Sequence, residues 1–172
     1  MKEKPMLHHI SIPARDPAHV ATVLAEILAG RAFPFLGPLP GAFSAVAGDE
    51  HGTLIEVYPQ HMAINPDPKE GTSPFLALEA PAEKIAATPV AFHALISVPL
   101  SRAEIEAIGE REGWKTLYLG RGAPGRTPFF HVIEFWVENR IMLELATPDM
   151  LAPYLATMNI AALEQRFPHG IV

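Results

Sequence analysis

One arrangement of residues occurs twice in this chain, and it limits the fold more than any other feature. Residues 7–16, LHHISIPARD, read as a strand running into a helix cap. Alternation puts His9, Ser11 and Pro13 on one strand face and His8, Ile10, Ile12 and Ala14 on the other. Ile10 and Ile12 are the face to bury beneath the following helix, which leaves His9 on the opposite side. Asp16 caps that helix and Pro17 takes its first position. Residues 91–98, AFHALISV, begin the same way. His93, Leu95 and Ser97 share one face, and Ser101 with Glu104 forms a capping box for the next helix.

Each of these starts leads into a matching series of elements. In the first, Val20, Val23, Leu24, Ile27 and Leu28 form a helical stripe over 17–29, ended by Gly30. Residues 31–41 carry Pro34, Pro38 and Pro40 and leave room for one short edge strand. Residues 43–47 and 53–58 read as a hairpin joined by GDEHG. In the second, the helix runs from the Ser101 cap to Gly113, and a short strand is expected at 115–119. The loop GRGAPGRTP follows; a solvated loop is the ordinary reading of it, and a contact of Arg121 and Arg126 with an anionic substrate is the alternative. Strands at 129–137 and 140–146 are joined by Glu138-Asn139 as a two-residue turn. The sequence therefore divides into a first module (1–58), a linker (59–91), a second module (92–146) and a C-terminal helical tail (147–172). Within the linker we expect turn chemistry first, then a short strand at 75–78 and a helical turn at 82–87.

Composition removes several function classes. The 172 residues can bury a core without covalent staples. Cysteine is absent, which excludes disulfides, zinc–thiolate sites and thiol nucleophiles. No run of eighteen apolar residues spans a membrane, and the N-terminus has no apolar signal region, so a cytoplasmic location is expected. The net charge of −6 and the lack of any Lys/Arg cluster argue against nucleic acid or an anionic membrane as partner. A small-molecule substrate and a homodimer are the expected partners.

The polar positions of the two halves also match. His9 and His93 open them, and Glu56 and Glu144 sit in their last strands, each between apolar neighbours that point the other way. A lone strand histidine or glutamate more often packs or faces water, and His8, His51 and His61 receive no role. Fourfold agreement across two modules is the specific signal.

In LHHISIPARD, TLIEVYP, FHALISV and ENRIMLELATP the chain resembles the vicinal oxygen chelate superfamily. That superfamily includes glyoxalase I, methylmalonyl-CoA epimerase, extradiol dioxygenases and fosfomycin-resistance proteins. The resemblance implies an α+β fold in which two βαβββ modules form a half-barrel, the glyoxalase/bleomycin resistance/dioxygenase fold. It assigns His9, Glu56, His93 and Glu144 as ligands of one divalent metal ion, and this donor set suits Zn, Ni, Fe, Mn or Co. It further implies a metal-dependent, glyoxalase-like lyase or isomerase that transfers a proton on a small carbonyl compound with vicinal oxygens. Glu56 or Glu144 would act as the base. An extradiol-type dioxygenase using only His9, His93 and Glu144 is one alternative. A non-catalytic small-molecule-binding protein of the same fold is another. Phe135, Met142 and Leu54, with Leu95, are expected to line an apolar substrate pocket. His131 joins them if the two-residue turn sets Ile133 opposite Glu144.

Overall fold

The computed structural model describes residues 7–64, 75–78, 80–87, 91–122 and 126–166. The chain divides into two compact units, Met1–Ala91 and Phe92–Val172. The first holds β1 (His9–Ala14), α1 (Pro17–Ile27), β2 (Arg31–Pro34), β3 (Phe43–Val46) and β4 (Leu54–Pro59). A small hairpin of β5 (Met62–Ile64) and β6 (Phe75–Ala77) and the short α2 (Ala82–Ala87) complete it. The second holds β7 (His93–Ser97), α3 (Arg102–Glu112), β8 (Thr116–Arg121), β9 (Phe130–Val137) and β10 (Ile141–Ala146). It ends in α4 (Pro148–Thr157) and α5 (Ile160–Arg166).

The two main sheets have the same order, β1-β4-β3-β2 and β7-β10-β9-β8. In each, the first strand runs parallel to the last, and the remaining pairs are antiparallel. A parallel pair needs a crossover, which α1 and α3 provide. The fold is α+β, built from two βαβββ modules. Among the described residues no helix is long and apolar enough to cross a membrane.

Each module buries one face of its sheet under its own helix. In the first, Val20, Val23, Leu24 and Ile27 of α1 lie in the core with Ile12, Ala45, Ile55 and Val57. In the second, Ile105 and Ile108 of α3 join Ile133, Phe135, Leu143 and Leu145, and Trp114 meets Phe135 edge-on at 5.6 Å. The expected caps are present. The Asp16 side chain accepts from the His19 amide, and Ser101 and Glu104 bond reciprocally.

Four sequence expectations are corrected. The first helix ends two residues early, at Ile27, through a Schellman turn. The Gly30 amide donates to the Ala25 carbonyl and the Ala29 amide to that of Glu26, with Ala29 at φ 53°. Gly30 is needed instead for close approach, because a Cβ there would lie 1.9 Å from the Val46 carbonyl oxygen. β5 falls where only turn chemistry was expected; the rest of that stretch, 65–74, lies outside the described residues. β8 continues to Arg121, so this residue belongs to a strand and not to a loop. Finally, β10 is offset by one residue: Glu144 pairs with Glu134, and Ile133 pairs with Leu145. The turn places three residues, 138–140, between Val137 and Ile141. Asn139 holds it by accepting from the Lys115 amide and donating to the Gly113 carbonyl.

Candidate functional site

The ladder registers place the candidate residues of both modules in the same way. In the first, His9 pairs with Leu54, and Glu56 stands two residues further along β4, opposite Ser11. In the second, His93 pairs with Met142, and Glu144 stands two residues further along β10, opposite Leu95. Alternation then puts histidine and glutamate on one sheet face, away from the helix. Both histidines are exposed.

The surroundings of the two carboxylates differ. Glu56 Oε2 accepts from Ser11 Oγ at 2.7 Å and from the Tyr58 hydroxyl at 2.5 Å. The Tyr58 ring is packed edge-on against Phe35 and Phe75, with centroids 5.4 and 5.2 Å away. Burial, then its bond to Glu56, raises the Tyr58 hydroxyl above its ordinary pKa. Tyr58 therefore holds its proton at neutral pH and works as a fixed donor. The β5–β6 hairpin contributes Met62 and Phe75 to this cluster, so part of the linker supports the Glu56 side chain.

Glu144 is held by a cation. Arg121 Nε donates to Glu144 Oε1 at 2.8 Å and Arg121 Nη2 to the same oxygen at 2.5 Å. Nη2 also reaches Glu134 Oε1 at 2.8 Å, and Trp136 Nε1 donates to Glu134 Oε2 at 3.1 Å. One guanidinium thus joins two carboxylates that face each other across β9 and β10. Burial pushes the Glu134 carboxyl up, but the bonds from Arg121 and Trp136 outweigh this and hold it below its ordinary pKa. The Glu144 side chain is 11% exposed and that of Arg121 28%, so the pair is shielded well beyond a typical surface ion pair.

The one-residue offset decides the fate of the expected pocket residues. His131 and Phe135 share the face of Ile133, opposite to that of Glu144. Phe135 is fully buried in the α3 core, and His131 stacks on Tyr118 at 4.9 Å, with the Arg102 guanidinium over the same Tyr118 ring. Neither side chain is on the face that carries Glu144. Met142 lies on that face, and Leu54 lies on the face of Glu56. The tail bears on the carboxylate side as well. Phe130 lies on the face of Glu134, where it meets Tyr154 of α4 edge-on at 5.1 Å.

Sequence reading missed Glu134 and the pairing role of Arg121. Glu134 sits in Ile133-Glu134-Phe135, the same apolar-Glu-apolar signature that singled out Glu56 and Glu144. Arg121 follows Leu117 and Leu119 at strand spacing, and the glycine between hid that continuity.

The donor chemistry fits a divalent cation differently in the two modules. His9 and Glu56 offer an imidazole and a carboxylate whose partners are neutral hydroxyls, the kind of outer support that orients a ligating carboxylate. Glu144 does not fit one as it stands, because the Arg121 guanidinium already takes its Oε1 twice. As the side chains stand, no group of three or more His, Asp or Glu is gathered for a metal among the described residues.

No family model and no curated protein sequence matches the chain. Solved structures similar to it include the fosfomycin resistance protein FosX from Mesorhizobium loti, at 13% identity. That match covers 89% of this chain and 99% of that one, with a TM-score of 0.46. A glyoxalase/dioxygenase from Nostoc punctiforme is 12% identical over 83% of this chain and 90% of that one, with a TM-score of 0.44. The oxidase ChaP-H2 is 19% identical over 84% and 94%, with a TM-score of 0.43.

Proposed function

We propose that this chain is a glyoxalase-like, metal-dependent enzyme that transfers a proton on a small carbonyl compound with neighbouring oxygens. His9 and Glu56 of the first module and His93 and Glu144 of the second are the residues that would hold the metal. The supporting observation is the identical register of histidine and glutamate in the two sheets. A divalent ion, when bound, would polarise the substrate carbonyl.

In this reading Glu56 would give up its hold on the metal in order to act as the base. Its Oε2 already accepts two hydroxyls, so the proton from the carbon beside the carbonyl goes to Oε1 and returns from there to the product carbon. Ser11 and Tyr58 keep the carboxylate in place while its charge changes.

A second reading is a non-catalytic small-molecule-binding protein, and the guanidinium on Glu144 favours it. Glu56→Ala separates the enzyme readings. Under the proton-transfer reading the variant loses most of its bound metal by elemental analysis. Retained metal together with oxygen uptake on catechol-like compounds would point to a three-ligand dioxygenase instead.

A further inference from the structure

We infer that Phe75, from the segment between the two modules, is a positioning residue for Glu56 and acts through Tyr58. The inference rests on the reading of Glu56 as the base. The two modules differ at the residues nearest their matched glutamates. Ser11 pairs with Glu56, and Tyr58 follows Glu56 by two residues on the same strand face. Leu95 pairs with Glu144, and Ala146 follows Glu144 by two. Leucine and alanine have no side-chain donor. Hydroxyl support is therefore particular to the first module and is not a general product of the duplicated fold.

Ser11 Oγ reaches Glu56 directly from the neighbouring strand. Tyr58 needs more, because a phenol oxygen lies on the long axis of its ring and the seat of the ring decides where the hydroxyl sits. Three elements make that seat. Phe35, just after β2, and Phe75, on β6, each meet the Tyr58 ring edge-on, and they meet each other edge-on with centroids 6.3 Å apart. Such contacts depend on ring orientation as well as on buried area, so they fix the tilt of Tyr58 more narrowly than aliphatic packing would. Phe75 is the member that the main sheet and its loops do not supply. It pairs with Ile64, and Met62 pairs with Ala77, which sets Met62 and Phe75 on one face of the β5–β6 hairpin. Both pack against the cluster of Leu39, Ala42 and Tyr58. The Leu78 amide closes the base of the hairpin by donating to the His61 carbonyl at 2.7 Å. The hairpin thus lays one ring and one thioether against Tyr58, and Tyr58 carries that placement to Glu56 Oε2.

The test is the NMR signal of the Tyr58 Cζ carbon in the full chain with isotope-labelled tyrosine, at neutral pH and with no metal added. Tyr58→Phe assigns the signal among the three tyrosines. Glu56→Gln should move it, because a neutral amide then replaces the carboxylate that accepts the phenol proton. Phe75→Ala should move it in the same direction, and adding Glu56→Gln to Phe75→Ala should move it no further. Met62→Ala, which loosens the same hairpin face, should also move it, so the result does not hang on one variant that folds poorly. Equal displacement by Glu56→Gln in the wild-type and Phe75→Ala backgrounds overturns the positioning role, since Phe75 would then only fill space. The metal content of Glu56→Ala judges the base reading separately. Metal retained there together with oxygen uptake takes the base role from Glu56 and overturns the place of Phe75 in the chemistry, even where the coupling through Tyr58 is found.

Discussion

At the scale of residues, the chemistry depends on what stands beside each carboxylate. Glu56, Glu134 and Glu144 all occupy apolar-Glu-apolar positions, and their partners make them three different groups: hydroxyl-supported, pinned by Arg121 and Trp136, and guanidinium-paired. The pinning of Glu134 has a consequence for stability. Its carboxyl titrates below the ordinary 4.5, so the folded state binds this proton less readily than the unfolded state does. The stabilisation is present above 4.5 and is lost as pH falls through the lower, folded value. Glu134→Gln should therefore lower stability near neutrality and reduce its loss on acidification. Urea unfolding at about pH 6 and about pH 3.5 checks this; an unchanged difference between the two would contradict the pairing. These partners were hard to read from the sequence. A hydrogen bond between Arg121 on β8 and Glu144 on β10 depends on the register of both strands with β9 between them, and a one-residue change of turn length alters that register.

Among the elements, the first helix shows how a short local sequence can be misread and then understood. A glycine after a helical stripe suggests the left-handed cap, but Ala29 takes that conformation and Gly30 makes room for the Val46 carbonyl. Two substitutions should then act in opposite directions. Ala29→Gly relieves a left-handed alanine and should stabilise by about 1 kcal/mol. Gly30→Ala drives a Cβ into backbone and should destabilise by about 1–3 kcal/mol. Thermal unfolding of both variants checks the assignment, and the reverse order would place the cap at Gly30 after all. The elements that did read correctly share a cause. The Ser101 capping box, the α1 stripe and the alternating strands are local patterns whose physics needs no distant partner. The β5 strand has three residues and one partner strand, too little pattern to stand out from its turn-rich surroundings.

For the molecule as a whole, duplication organises everything else. Strand, helix and three further strands recur with the same sheet order, and His9/Glu56 and His93/Glu144 recur with the same offset. That much was legible because a repeated polar pattern on an apolar background survives small errors in element boundaries. The asymmetry between modules was not legible, since it comes from Glu134 on β9, which pairs with β10, and Arg121 on β8, which reaches Glu144 across β9. In the function proposed above, these matched pairs serve a metal ion. Elemental analysis of protein purified without a polyhistidine tag, beside His93→Ala, tests it most directly. The wild-type chain should carry a near-stoichiometric transition metal, and a folded His93→Ala variant should lose it. No metal in the wild-type chain after incubation with Zn²⁺, Ni²⁺, Mn²⁺ and Fe²⁺, or equal metal in both proteins, would contradict it.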